Sequence, residues 1–223
     1  MNLLAIDTST ACASVALSIN GNIKSLEQGA QRQHAQLLLP MIEQLLAEAE
    51  LTLTQLDGIV YGRGPGSFTG LRIACSVAKG LAYAHDLPLY PVSSLAAIAE
   101  EVCCQHQMAP NTEVLALIDA RMNQVYWACY TCTQRDAKEH VSELSALALA
   151  SDAPLIIAGI GFKPYLGHLP ALVQTRVIKQ LEIYPQAKTM IRLTLNDTIR
   201  AITAAEAVPV YVRNQITQGD TRG

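Results

Sequence analysis

Two places in this sequence bring together residue types able to handle an anion or a hydrated cation. The first is Asp7-Thr8-Ser9-Thr10. An aspartate there can hold magnesium through water, because that ion keeps several waters and takes few carboxylates, while the hydroxyls and amides that follow can receive a phosphate. The other reading of these residues is a turn that Asp7 caps and whose backbone the hydroxyls satisfy. The second place is Gly62-Arg63-Gly64-Pro65-Gly66-Ser67-Phe68-Thr69-Gly70. Its amides, with the N-terminus of a following helix, can cradle an anion; glycines that only let the chain turn are the alternative. No Gly-Lys-Ser/Thr follows, so this is not a Walker loop, and its third glycine is misplaced for a dinucleotide fingerprint. The candidate nucleotide- or anion-binding residues are therefore Asp7, Thr8, Ser9, Gly64, Gly66 and Ser67. Arg63 and Arg72 are candidates for an anion or a partner's carboxylate.

Other chemistries have less to stand on. The five histidines, at 34, 85, 106, 140 and 168, never pair at the spacing that puts two metal ligands on one helix face. Cys129-Tyr130-Thr131-Cys132 has the spacing of a redox motif. It falls at the end of an expected strand, where residues three apart face opposite sides, and away from the helix N-terminus that lowers a catalytic thiol's pKa. The cysteines at 12, 75, 103, 104, 129 and 132 lie mostly in apolar runs and read as reduced thiols used as small hydrophobes. Ser67 lacks a convincing histidine partner and a nucleophile-elbow pattern. The sequence names no catalytic residue and no metal ligand.

The elements that must position these groups are legible in hydrophobic periodicity. Residues 3–7 read as a short buried strand and 12–19 as an alternating one. Asn20-Gly21 marks a type I′ hairpin turn, and a third strand runs from 22 to about 27. A helix follows over 34–50, with Pro40 near a start or a kink. Residues 58–61 form a strand, 62–67 the glycine turn, 68–85 a helix, 87–92 a strand, and a helix capped by Ser93 or Ser94 runs to about 105. The polar stretch 105–113, with Pro110-Asn111, is the best internal boundary. Beyond it the chain starts again: Leu115-Ala116-Leu117-Ile118-Asp119 repeats Leu3-Leu4-Ala5-Ile6-Asp7 at an offset of 112, half of the 223 residues. Later come a strand at 155–158 leading to Gly159-Ile160-Gly161, a helix over 184–195 and an extended segment at 209–213. The expected organisation is an α/β protein of two duplicated lobes, 1–108 and 109–213, with a polar tail at 214–223.

Composition bounds the partners. A net charge of −3 provides no global basic surface for a nucleic-acid backbone, so any nucleic-acid role would have to be shared with a partner. No run of 18 apolar residues and no basic N-terminal region occurs, so the expectation is a cytoplasmic chain that touches no membrane. The helix from His34 is too widely apolar for one core stripe. The next helix carries the small-residue ladder Gly70, Ala74, Ala78, Ala82. Leu38, Met41, Ile42, Leu45, Leu46, Ala74, Ala78 and Ala82 are therefore the expected partner interface, with burial inside the same lobe as the alternative.

Several stretches together resemble the TsaB family, also called YeaZ. They are Leu4-Ala5-Ile6-Asp7-Thr8-Ser9-Thr10, His34 with Leu38-Leu39-Pro40, Gly64 through Arg72, Ala78-Lys79-Gly80-Leu81-Ala82 and Val92-Ser93-Ser94-Leu95. The match is close over about 2–130 and looser beyond, through Asp119-Ala120-Arg121 and residues 209–213. The resemblance implies the ribonuclease H-like fold of actin, Hsp70 and sugar kinases. It also implies a place in the bacterial machinery that attaches a threonylcarbamoyl group to N6 of the adenosine next to the anticodon in tRNAs reading codons that begin with A. There a TsaD-like subunit carries the chemistry, a TsaE-like P-loop ATPase cycles nucleotide, and a TsaB-like subunit serves as platform and also forms homodimers. TsaD-like subunits carry His-x-x-x-His where this chain reads Ser93-Ser94-Leu95-Ala96-Ala97. The resemblance thus implies an accessory subunit, with ATP or ADP and magnesium at most at a site shared within the complex. An independent phosphotransferase using Asp7, Thr8 and the glycine turn is the alternative, and a peptidase has neither ligands nor a triad.

Overall fold

The structure is a computed structural model that describes residues 1–29, 33–109, 111–134, 136–196 and 199–213. The expected tail at 214–223, and Pro110 of the expected boundary, lie outside the described residues.

Strand β1 (Leu3–Asp7) is buried along its whole length because it lies in the middle of a five-stranded sheet. It pairs antiparallel with β2 (Cys12–Ile19), which turns through Asn20 and Gly21, both at positive φ, into β3 (Asn22–Gly29). Helix α1 (His34–Glu48) keeps Pro40 inside it. On the other side β1 pairs in parallel with β4 (Gly58–Gly64); α2 (Phe68–His85) crosses over to β5 (Leu89–Ser93), and α3 (Ser94–Gln105) follows. Asp86, in the left-handed conformation, ends α2. The sheet order is β3-β2-β1-β4-β5.

The second half repeats this order. Strands β6 (Glu113–Arg121), β7 (Gln124–Tyr130) and β8 (His140–Ser142) form the antiparallel arm, and β9 (Leu155–Ile160) pairs in parallel with β6. The short helix α4 (Ala171–Gln174) leads to β10 (Val177–Glu182), and α5 (Ala187–Asn196) follows. The order β8-β7-β6-β9-β10 is that of the first sheet, with β6 in the place of β1. The two aspartates spaced by 112 residues thus occupy equivalent strand positions. A helix as long as α1 is missing from the second copy, where β8 leads instead through a 3-10 turn at Leu144–Ala146 to β9.

The sheets separate at the sequence boundary, but the helices cross it. Helix α5, from the second half, packs on β1, β2 and β4 of the first sheet, while α3, from the first half, packs on β6, β7 and β9 of the second. The two helices touch each other and share one core cluster with inward residues of both sheets. Glu101 on α3, itself buried, accepts a hydrogen bond from Thr189 Oγ1 at 2.6 Å and pairs with Lys188 at 3.2 Å, so the tie is polar as well as apolar. The chain then returns to the first lobe: Ile202 bridges Leu89, and the Val210 amide donates to the Arg63 carbonyl.

The expected interface residues are corrected by this packing. Leu38, Met41, Ile42, Leu45, Leu46, Ala74, Ala78 and Ala82 are all buried in a single cluster between α1, α2 and the outer face of the first sheet. The small-residue ladder lets α2 lie close on its own lobe. Truncating Leu38 or Leu45 would open a core cavity at a cost of about 2–5 kcal/mol. The cysteine reading is corrected too. Cys103, in the last turn of α3, and Cys132, just past β7, are joined, with Cα atoms 5.7 Å apart, while Cys12, Cys75, Cys104 and Cys129 are free. A separation of 29 residues gives no sign in the sequence that the end of α3 lies against the end of β7.

Candidate functional site in the inter-lobe cleft

A cleft of about 570 Å³ opens between the lobes, where the turn after β1 faces the turn after β6. Of the six expected anion-binding residues, Ser9, Gly66 and Ser67 line it; Asp7, Thr8 and Gly64 do not. The remaining walls include His34, Phe68, Asp119, Arg121, Tyr126, Gly161, Tyr184 and Arg213.

Asp7 is fully buried. Its Oδ1 accepts from the Ser9 hydroxyl at 2.9 Å and the Ser9 amide at 3.2 Å, while its Oδ2 has no partner among the described residues. A Cβ on Gly62 would come within 1.9 Å of Oδ2, and the Met190 methyl closes the same space. Burial therefore raises the carboxyl pKa to about 7, against the hydrogen bonds from Ser9 that lower it. A carboxylate enclosed by a neighbouring strand and a methionine does not reach the cleft. The fit to a magnesium-nucleotide held there by Asp7 fails on that placement, and no step is derived through such a group.

The glycine turn serves the hairpin turn beside it. A Cβ on Gly70 would stand 1.8 Å from the Thr8 carbonyl oxygen, and one on Gly66 would stand 2.3 Å from that of Ser9. Thr8 Oγ1 donates to the Gly70 carbonyl at 2.7 Å, and the Ser67 amide donates to the Ser9 carbonyl at 2.7 Å. Ser67 caps α2, its hydroxyl accepting from the Gly70 amide. Gly64, at φ +107°, packs against Leu71 and the Val210 carbonyl. Gly66 and Gly70 are required because the turn after β1 presses on the first turn of α2.

The second lobe offers a counterpart that the sequence reading missed. Asp119 Oδ1 accepts from the Arg121 amide at 2.8 Å and from the Tyr165 hydroxyl at 3.0 Å, and its Oδ2 lies 3.4 Å from the Arg121 guanidinium. Gly161 stands to Asp119 as Gly62 stands to Asp7: a Cβ there would meet the aspartate's own Cβ at 2.6 Å. Carrying the offset of 112 through to side-chain roles would have flagged Asp119. The glycine pair 159 and 161 is visible in the sequence but sits at a different offset. At the lip, the Arg72 guanidinium lies 3.8 Å over the Phe68 ring and donates to the Tyr211 hydroxyl, so Arg72 is held by its own chain.

Arg63 does not line the cleft. It makes a two-pronged pair with Glu139, both contacts at 3.0 Å. The Ser93 hydroxyl donates to the same carboxylate and accepts from the Ala96 amide as the cap of α3. Ser93 thus stands between an ion pair and a helix end, and among the described residues no group of three His, Cys, Asp or Glu is placed to hold a metal.

Two duplicated mixed sheets, with a helix exchanged across each and a cleft between, define the actin and sugar-kinase class of α/β protein. A family model described as TsaD, tRNA N6-adenosine threonylcarbamoyltransferase, matches residues 26–157. The chain is 34% identical to the tRNA threonylcarbamoyladenosine biosynthesis protein TsaB of Haemophilus influenzae, covering 97% of this chain and 95% of that one. It is 35% identical to the protein of the same name from Escherichia coli, covering 97% and 96%. The solved structure of YeaZ from Pseudomonas aeruginosa superposes with a TM-score of 0.85 at 39% identity, covering 94% of this chain and 99% of that one. The chain belongs to the TsaB (YeaZ) family, a relative of TsaD. No helix among the described residues is long and apolar enough to cross a membrane.

Proposed function

We propose that this chain works in tRNA threonylcarbamoyladenosine biosynthesis as an accessory subunit, docked on a TsaD-like transferase and served by a TsaE-like ATPase. The observation that carries the reading is kinship along nearly the whole chain to proteins named for that pathway. The site geometry supports the accessory role: Asp7 is walled off, Thr8 and Gly64 are used in packing, and Ser93 is occupied as a cap. Nucleotide with magnesium belongs, in this reading, to the assembled complex, and tRNA is held mainly by the partner because the chain carries net negative charge. A tRNA-modifying assembly of this kind works in the cytoplasm.

The docking face in this proposal is the outer side of α1 and α2, since the inner side is core. That side presents Leu39 on α1 and Tyr83 on α2, the latter 84% exposed. Gly80, in the middle of α2, is exposed, and a Cβ there would meet nothing within 4 Å. A helical glycine with no neighbour to clear costs about 1 kcal/mol relative to alanine, and close approach of a second helix is a reason to keep it. A second copy of the chain would use the same face, so homodimer and heterodimer exclude each other. The test mixes the chain with its TsaD-like and TsaE-like partners and measures tRNA threonylcarbamoylation and association. Gly80→Leu with Tyr83→Glu should leave melting unchanged within a few degrees while association and modification fall at least tenfold. Unchanged association sinks the docking face, and unchanged modification on omitting the chain sinks the accessory role.

A further inference from the structure

Helix α3 runs between the lobes, and the connection after β7 is fastened at both of its ends to that helix. At one end Glu139 accepts from Ser93, the N-cap of α3. At the other, Cys132 is bonded to Cys103 in the last turn of α3. We propose that Cys103 and Cys132 are a reversible redox modification site, whose substrates are low-molecular-weight disulfides and thiols of the glutathione class, and that its state sets whether this connection is pinned to α3.

Three observations support the assignment. Both cysteines are half-buried, so a small disulfide reaches them, and the exposed Cys104 beside Cys103 marks the solvent side. Met108 Sδ lies 3.4 Å from Cys132 Sγ and 3.9 Å from Cys103 Sγ, packing a soft sulfur against the pair. The other thiols compete poorly. Cys129 is pushed up to about 12 by burial and then by Glu113, and burial raises Cys12, Cys75 and Cys104 as well. In the cytoplasm, the location proposed above, a disulfide of this kind is transient and redox-sensing rather than permanent.

The step balances with the named co-reactant. One of the pair, as thiolate, attacks a sulfur of oxidised glutathione, forming a mixed disulfide and releasing a glutathione thiolate. The second cysteine gives its proton to water and attacks the protein sulfur of that mixed disulfide. The Cys103–Cys132 bond forms, the second glutathione leaves as thiolate, and both released thiolates take protons from water. Two protein thiols lose two electrons and one small disulfide gains them.

The experiment equilibrates the full chain with reduced and oxidised glutathione over a range of ratios, without denaturant. It is then quenched in acid and alkylated after unfolding. Oxidising ratios should lower the alkylatable thiols from six to four, with one linked peptide pair containing Cys103 and Cys132, and reducing ratios should restore all six. Amide exchange in the segments next to Cys132 and at the end of α3 should be faster in the reduced chain. Cys132→Ser should abolish the internal link and the exchange difference, leaving a glutathione adduct on Cys103 as the only oxidised form of the pair, while Cys104→Ser should leave both. The proposal is overturned if linkage maps to other cysteines, if glutathione adducts form without an internal bond, or if the bond survives reducing ratios in the folded chain. Every readout is made on the chain alone, so failure of the docking or pathway reading leaves this test standing.

Discussion

Asp7 is a fully buried carboxyl whose Oδ2 has no partner among the described residues. Its pKa of about 7 in the folded chain lies well above the roughly 3.9 of an unfolded aspartate, so between these values the folded state holds a proton that the unfolded state has lost. The sign follows: stability from this residue is fully present below about pH 4 and is lost as pH rises through 7. Three units correspond to about 4 kcal/mol. Asp7→Asn removes the titration, so the fall in melting temperature from pH 4 to pH 8 should flatten relative to the parent. At pH 8 the variant should be the more stable, by less than the full amount, because its amide would be buried without an acceptor at about 1–3 kcal/mol. Parallel melting curves for the two proteins across that range would show that the carboxyl is not enclosed as described. The glycine facing Thr8, the residue after Asp7, makes the complementary case. Gly70→Ala would drive a methyl into the Thr8 carbonyl, with no flexible side chain to yield, and should cost more than 3 kcal/mol in denaturant midpoints.

At the scale of elements, α2 has two faces with opposite tolerance. Inward, Ala74, Ala78 and Ala82 are close-packed; outward, Gly80 faces open space. Gly80→Ala should therefore stabilise the isolated chain by about 1 kcal/mol, read as a higher denaturant midpoint with unchanged slope, and a loss of stability would mean that the outer face already has an internal partner. The elements themselves were largely legible. The strand limits 12–19, the Asn20-Gly21 turn and the limits 68–85 of α2 all match, because local chemistry decides them, although β2 is buried on both faces rather than alternately. Three things were not. The strand expected to end at Tyr61 runs to Gly64, because pairing with β5 carries it through the glycines. The extended segment at 209–213 pairs with no strand among the described residues, although Val210 is fastened to Arg63. The facing of α1 and α2 was read outward because apolar width alone does not say which arc meets the sheet. The candidate site was half legible for a related reason: composition identifies hydroxyls and glycines, but only the fold shows that Gly66 and Gly70 make room for a neighbouring turn.

The whole molecule is held by exchanges between its halves, and the ion pair of Arg63 with Glu139 is the one whose energetics can be isolated. Arg63 belongs to the first sheet, Glu139 precedes the edge strand of the second, and the carboxylate is nearly buried, with 8% of its side chain exposed. A buried pair adds little net stability, since desolvation offsets attraction, but removing one partner strands the other at about 3–5 kcal/mol. Arg63→Met should thus be costly because, among the described residues, Glu139 keeps only Ser93 as a hydrogen-bond partner, and Glu139→Gln should cost less because its amide oxygen still accepts from Ser93 and from the guanidinium. The double variant should cost clearly less than the sum of the two singles, with a coupling of at least 1 kcal/mol. Denaturant unfolding of the four proteins, carried out under reducing conditions so that the Cys103–Cys132 bond does not restrain the same connection, measures that coupling. Strict additivity would mean that the two lobes meet here without depending on the pair, and that α3 and α5 alone keep them together.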